Sequence, residues 1–186
     1  MVIAGLGAAA LLAASGTVAT TPTIREMIEL TDLSSVAVSP DGKLVAYRAE
    51  TASIERNTHD LAWYVVAADG SAPPRRIADA GEGDWPDGTF AAEPPLWTAD
   101  SRAIVYRAIR DGEIQLWRTS ADGAHSDRLT GDPANIRAFA LSPDSQALTY
   151  SVGATREDIV RAERDEYDNG VLIDARVDPS RQLHRG

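Results

Sequence analysis

The histidines are the side chains of this sequence that are best suited to proton transfer near neutral pH. They are His59, His125 and His184, and all three lie in predicted loops or in the carboxy-terminal tail. A serine hydrolase of the α/β type needs a Gly-x-Ser-x-Gly pentapeptide, because its sharp turn exposes the serine hydroxyl beside backbone N–H donors. No such pentapeptide occurs in the 186 residues, and no histidine shares a motif with a serine. We therefore predict no catalytic residue in this chain.

An acidic run from Asp165 to Gly170 resembles the start of a calcium-binding loop. Tyr167 occupies a ligand position of such a loop, and Arg176 stands where the bidentate glutamate belongs. The sequence has no cysteine, which excludes thiolate metal sites, a cysteine nucleophile and a disulfide framework. We predict neither a metal site nor a cofactor, and leave the substrate-binding residues unassigned.

Acidic residues outnumber basic ones in this chain. Lysine and arginine total 18 against 28 aspartates and glutamates, so the formal net charge is −10. A phosphate backbone is repelled by such a charge, and we expect no nucleic-acid partner. The 44% hydrophobic content, interleaved with polar residues, is typical of roughly one globular domain.

A turn pattern recurs three times along the chain. Each copy places an aspartate six residues before a tyrosine: Asp41 and Tyr47, Asp100 and Tyr106, and Asp144 and Tyr150. Because aspartate in a tight turn bonds the local backbone, we assign these aspartates to turn capping rather than to catalysis. Gly42 can take the positive φ that such a turn needs, whereas serine at 101 and 145 is expected to cost stability.

The first two repeats also carry a tryptophan-bearing strand that ends in Asp-Gly, at 63–70 and 116–123, followed by one more short strand. Four strands per unit predict a propeller blade. We therefore predict an all-β fold, a partial β-propeller of about three four-stranded blades over 36–152, with repeats starting near 36, 95 and 138. Polar insertions at 51–60 and 80–95 are predicted surface loops.

The tryptophans divide by position. Trp63, Trp97 and Trp117 stand at strand positions that favour packing between blades, whereas Trp85 lies in the insertion rich in glycine and proline. Trp85 is therefore a candidate contact residue.

The third repeat is interrupted by a predicted helix near 155–168, within a segment bounded by 153 and 170. Thr155 is a good N-cap, and Asn169-Gly170 supplies the end. Its carboxylates Glu163, Asp165 and Glu166 could contact a substrate, and the alternative is a solvated face. Strand pattern resumes over 171–186, and because three blades cannot close a ring of four to eight, the sequence is expected to be truncated.

The amino terminus reads as a secretory signal peptide over 1–19. Val2 to Ala14 is apolar and too short for a bilayer span of about 20 residues, and small residues precede a cut after Ala19. No basic residue precedes Arg25, so a buried or disordered arm is the alternative. We expect a periplasmic or secreted protein with no membrane contact after signal removal, and a lead-in segment over 20–35.

These blades after a signal peptide resemble the amino-terminal propeller of prolyl oligopeptidase-family serine peptidases, and TolB-like propellers share the turn signature. Two stretches, 23–33 (TIREMIELTDL) and 152–186, resemble lasso peptide isopeptidases. The resemblance implies a carboxy-terminal α/β-hydrolase domain whose triad hydrolyses the ring-closing isopeptide bond of a peptide substrate. None of that triad has a matching position here, so this chain alone is predicted to be inactive.

The same resemblance implies that the propeller supplies substrate access and recognition. Two alternatives remain open at this point. One is a TolB-like binding module without catalysis, and the other is a nonfunctional gene fragment.

Overall fold

The computed structural model of the protein describes residues 21–83, 91 and 93–170. Its first element is the short helix α1 (Ile24–Ile28), which begins at a capping box. The Thr23 hydroxyl accepts a hydrogen bond from the Glu26 amide at 3.2 Å, and the Glu26 carboxylate accepts one from the Thr23 amide at 2.8 Å. These two bonds satisfy amides that an open helix end leaves unpaired.

Three antiparallel sheets follow in chain order. Sheet 1 comprises β1 (Thr31–Val38), β2 (Leu44–Ser53), β3 (Thr58–Ala67) and β4 (Arg75–Asp79). Sheet 2 comprises β5 (Leu96–Trp97), β6 (Ala103–Arg110), β7 (Glu113–Ser120) and β8 (Ser126–Arg128). Sheet 3 has β9 (Ala134–Leu141) and β10 (Leu148–Thr155) within the described part of the chain. The predicted all-β, partial propeller fold is confirmed, with two complete blades and two strands of a third.

One predicted loop is mostly strand. Residues 51–60 were expected to form a polar surface loop, but β2 continues to Ser53 and β3 starts at Thr58, and the two strands stay in register to their ends. The chain reverses only at 54–57, where Asn57 has φ 47°. This end of the hairpin extends beyond the core into solvent, so its side chains are polar on both faces. The alternation of apolar and polar residues that indicates a strand is therefore absent from the sequence here.

The core lies between the sheets. Trp63, Leu61 and Val65 from β3 pack with Ile104 and Tyr106 from β6, and all five side chains are buried. A second cluster joins sheet 2 to sheet 3 through four buried side chains: Ile109, Ile114, Leu116 and Ile136. Full burial of such side chains contributes about 1.5–3 kcal/mol each, so face-to-face packing of sheets holds the fold together.

Helix α2 (Arg156–Asn169) follows β10 directly, which confirms the helix predicted from the sequence. The Thr155 hydroxyl caps its first turn by accepting from the Asp158 amide at 3.1 Å, and Gly170, with φ 73°, ends it. None of its residues is buried. Among the described residues, no helix has the length and apolar character needed to cross a bilayer.

Candidate functional site

The first strands of the three sheets, β1, β5 and β9, converge at the ends where each enters its hairpin turn. They enclose a groove of about 590 Å³, which is lined by residues from all three sheets and, among the described residues, by no charged side chain. Its apolar lining includes Val38, Leu96 and Leu141 and three prolines, Pro40, Pro95 and Pro143. Val38 is 60% exposed there. A concave surface of this volume, which combines apolar side chains with polar atoms, is suited to hold part of a peptide.

The repeated aspartates border this groove and act as turn caps. Asp41 Oδ1 accepts from the Ser39 hydroxyl at 2.7 Å and from the Lys43 amide at 3.1 Å. Asp100 and Asp144 make the same two bonds in their own turns. The hydroxyl bond, and after it the amide bond, holds the pKa of all three carboxyl groups below the usual range. They are anionic, structural groups rather than proton donors at neutral pH.

A serine at the left-handed turn position links sheet 2 to sheet 1, and another links sheet 3 to sheet 2, each by a hydrogen bond. Ser101 has φ 59°, and its hydroxyl accepts from the Asp41 amide at 3.1 Å in the preceding sheet. Ser145, with φ 57°, accepts from the Ala99 amide at 2.9 Å in the same way. The expected strain is present in the backbone, and a hydrogen bond between sheets opposes it.

Two arginines escaped prediction from the sequence. Arg48 and Arg107 directly follow the repeated tyrosines of the first two blades, and only 7% and 9% of their side-chain surfaces are exposed. Arg107 donates to the Arg137 carbonyl at 2.6 Å in sheet 3 and pairs with Glu93 at 3.2 Å. The signal was available, because arginine occupies the same position in two repeats.

The amino-terminal end of α2 is fixed to sheet 2. Arg156 pairs with Glu113 at 2.9 Å and donates to the Asp132 carbonyl at 3.0 Å. Beyond this anchor the helix projects into solvent, and the side chains of Glu163 and Asp165 are exposed whereas Glu166 is half-buried. Asp165 accepts from Asn169 at 2.7 Å. Helix α2 is therefore fixed to sheet 2 at its amino-terminal end and carries exposed carboxylates further along.

The histidines do not assemble a catalytic pair in the described part of the chain. The His59 ring lies 2.8 Å from Glu50 at the far end of the β2–β3 hairpin. Ser120 meets His125 only through the backbone of that histidine. His184 lies outside the described residues. Within the described ranges no cluster of histidine and acidic side chains could hold a metal ion. The acidic run 165–170 is described, whereas Arg176 lies outside the described residues.

Three tryptophans lie between or beside sheets. Trp63 is 1% exposed, and its ring centroid lies 5.1 Å from that of Tyr106. Trp97 donates from Nε1 to the Ala37 carbonyl at 3.1 Å. Trp117 lies under the Arg110 guanidinium, 3.8 Å from its ring centroid. Trp85, the candidate contact residue, lies outside the described residues.

Sequence comparison relates the chain to peptidases. It is 29% identical over 125 residues to a dipeptidyl-peptidase 5 from Porphyromonas endodontalis, a match that covers 67% of this chain and 17% of that protein. It is 25% identical over 158 residues to an uncharacterized peptidase of Bacillus subtilis, covering 78% and 22%. The chain thus spans about a fifth of the length of these relatives. No protein-family model matches it.

Solved structures share its fold. The AtxE2 isopeptidase with Astexin3-dC4 bound matches with a TM-score of 0.70 at 23% identity, over 87% of this chain and 28% of that one. The β-propeller domain of the trilobed protease from Pyrococcus furiosus matches at 0.52 and 19%, over 71% and 37%. The predicted resemblance to the propeller portion of prolyl oligopeptidase-type peptidases is confirmed.

Proposed function

We propose that this chain is the propeller portion of a prolyl oligopeptidase-family serine peptidase and that it controls how a peptide reaches a catalytic domain outside these residues. The observation that carries the proposal is the pairing of peptidase-like sequence with stacked blades around an uncharged groove. In this proposal an α/β-hydrolase domain of the same protein supplies serine, histidine and aspartate. The serine forms an acyl-enzyme, the histidine is the general base, and backbone amides stabilise the oxyanion.

The finer proposal is a lasso peptide isopeptidase, which hydrolyses the isopeptide bond that closes the ring. It is supported by the structural likeness to the AtxE2 isopeptidase with Astexin3-dC4 bound, and by the 152–170 part of the segment that resembles such enzymes. We place the protein in the periplasm or outside the cell, on the apolar run Val2 to Ala14, which lies outside the described residues.

Helix α2 is the proposed substrate contact within this chain. Its base is fixed by Arg156, and its exposed surface is dominated by carboxylates, so a polar or basic part of a peptide would be held there. Reversing the charges together, Glu163→Lys, Asp165→Lys and Glu166→Lys, is expected to raise KM at least fivefold with little change in kcat, because such contacts act mainly in binding.

The test uses the product of the complete reading frame and a threaded lasso peptide beside its linear form. The expected result is a mass gain of one water for the threaded substrate, abolished by substituting the nucleophilic serine. Asp127→Lys, an exposed charge reversal on β8, is the matched control and should leave KM unchanged. Binding of the peptide without any hydrolysis would overturn the peptidase proposal in favour of a binding module. Unchanged KM in the triple variant would overturn the role of α2.

A further inference from the structure

A second cavity lies beside the hairpin that joins β6 to β7, away from the groove between the sheets. This hairpin cleft has a volume of about 430 Å³ and is lined by six residues: Arg110, Asp111, Glu113, Gln115, Trp117 and Arg128. Four of the six carry charge, in contrast to the uncharged groove. The volume falls within the range of about 300–1,000 Å³ that is common for small-ligand sites.

Arg110 is held rigidly at this cleft. The carbon at the centre of its guanidinium lies over the Trp117 ring, 3.8 Å from the ring centroid. Its Nη2 donates to the Asp79 carbonyl at 2.9 Å, so sheet 1 fixes the group from the other side. Nη1 makes no hydrogen bond within the described part of the chain. A guanidinium that is already oriented loses little entropy when it binds an anion.

Arg128 is held in a similar way across the cleft. Its Nε donates to the Thr130 carbonyl at 2.6 Å, and its Nη2 donates to Glu113 Oε2 at 2.7 Å. Its Nη1 likewise has no partner among residues 21–83, 91 and 93–170. Two fixed guanidinium groups therefore border one cavity. Among the described residues, Nη1 of Arg128 has no partner, and neither Nη1 nor the buried Nε of Arg110 has one.

The acidic lining does not neutralise both arginines. Glu113 is shared, because its Oε1 also accepts from Arg156 at 2.9 Å, so one carboxylate serves two cations. The buried amide of Gln115 is fully engaged with Thr130 and Asp132 and forms a fixed wall. Asp111 is exposed on the turn, with φ 53°, and makes no ion pair in the described residues. The cleft thus combines two arginines with two carboxylates: Glu113, which is paired with Arg128 and Arg156, and Asp111, which is exposed at the rim.

We propose that the hairpin cleft binds the carboxyl-terminal carboxylate of a peptide, between Arg110 and Arg128. A planar carboxylate matches the fork of a guanidinium, and charge-assisted hydrogen bonds to it are the stronger kind. The Trp117–Arg110 stack also offers a planar surface to an adjoining side chain. The choice of a peptide as the source of the carboxylate rests on the proposed function, whereas the choice of a carboxylate rests on the two arginines.

Titration of the 186-residue chain with N-acetylglycylphenylalanine and with its carboxyl-terminal amide tests the inference by isothermal calorimetry in low salt. The free acid is expected to bind about tenfold more tightly than the amide, since the amide has no charge to pair. Arg110→Gln should weaken binding of the acid about tenfold, and Arg110→Lys, which keeps the charge but not the fork, should weaken it about threefold. Asp111→Asn should tighten it about twofold, because a nearby like charge is removed.

Arg118→Gln is the matched control. Arg118 is exposed on β7, beside Trp117 in sequence, and is not among the described residues that line the cleft, so its loss changes the net charge equally without altering the site. Circular dichroism of each variant verifies folding, and the tightening in Asp111→Asn cannot come from unfolding. Equal affinity for acid and amide, or equal weakening in Arg118→Gln, would overturn the inference. Acetate that binds as tightly as the peptide acid would refute a peptide site. None of these outcomes bears on hydrolysis of a peptide by the complete protein.

Discussion

Replacing Ser101 with glycine is expected to destabilise the protein, although glycine usually improves a left-handed position. Ser101 has φ 59°, in the region where a side chain costs about 1–2 kcal/mol relative to glycine. Its hydroxyl, however, accepts a hydrogen bond from the Asp41 amide of the preceding sheet at 3.1 Å, and the residue is 7% exposed. The substitution therefore removes strain and a bond between sheets at the same time.

The opposing effects can be weighed from these contacts. Removing the hydroxyl leaves a partly buried amide without its partner, which costs about 1–3 kcal/mol when nothing replaces that partner. Glycine also adds about 0.5–1 kcal/mol of unfolded-state entropy. Against about 1–2 kcal/mol of strain relief, the net expectation for Ser101→Gly is a loss of about 1 kcal/mol.

Urea unfolding followed by tryptophan fluorescence measures this difference, and Asn57→Gly supplies the comparison. Asn57 also has a left-handed backbone, with φ 47°, but lies in an exposed turn, and its side chain makes no hydrogen bond to another sheet in the described part of the chain. Asn57→Gly is expected to leave the free energy of unfolding within about 0.5 kcal/mol of the parent or to raise it. If Ser101→Gly were as stable as the parent while Asn57→Gly behaved the same way, the bond between sheets would carry no stabilisation and the reasoning would be refuted.

Three further predictions concern other contacts. Gly81→Ala should destabilise by about 2 kcal/mol more than Gly70→Ala in thermal unfolding. Both glycines have positive φ, but only at Gly81 of these two would the added methyl clash with a backbone oxygen, that of Ile109. Equal losses would contradict the clash. Arg107→Met should lower the free energy of unfolding by about 1–3 kcal/mol, since the carbonyls of Ile136 and Arg137 lose a buried donor. Arg118→Met, at an exposed position, should not lower it. Equal effects of the two variants would show that Arg107 does not stabilise the contact between sheets 2 and 3. The pKa of Asp41 is lowered in the folded protein, so its capping bonds stabilise the fold above the ordinary aspartate pKa, and this stabilisation is lost as the pH falls through the folded value. Asp41→Asn should therefore make the free energy of unfolding depend less on pH in the acid range. An unchanged dependence would count against the cap.

Most of the fold that could be predicted from the sequence follows from the repeated turn pattern. A turn aspartate and a tyrosine at constant spacing report the blade directly, because the turn needs the carboxylate and the strand needs an apolar partner across the sheet. Helix α2 was predictable for a different reason, since Thr155 and Gly170 mark its ends by local chemistry alone. Both signals depend on residues close in sequence.

Contacts between sheets were not predictable in this way. The bond from the Asp41 amide to Ser101 spans 60 residues, and the Arg107 contact with the Arg137 carbonyl spans 30. Ser101 is unfavourable in its own turn when that turn is considered alone, and the strand pattern gives no sign that Arg107 is buried. The contacts of both residues follow only from how the sheets pack against each other. The hairpin cleft was missed likewise, because its donors come from two strands of sheet 2 and one is held by sheet 1.

Translation of the source DNA beyond codon 186 tests the central proposal most directly. The proposal predicts an open frame that encodes, in order, a Gly-x-Ser-x-Gly pentapeptide between a strand and a helix, then an aspartate and a histidine placed to complete the triad. A frame that ends without these residues would contradict the assignment of this propeller to a serine peptidase.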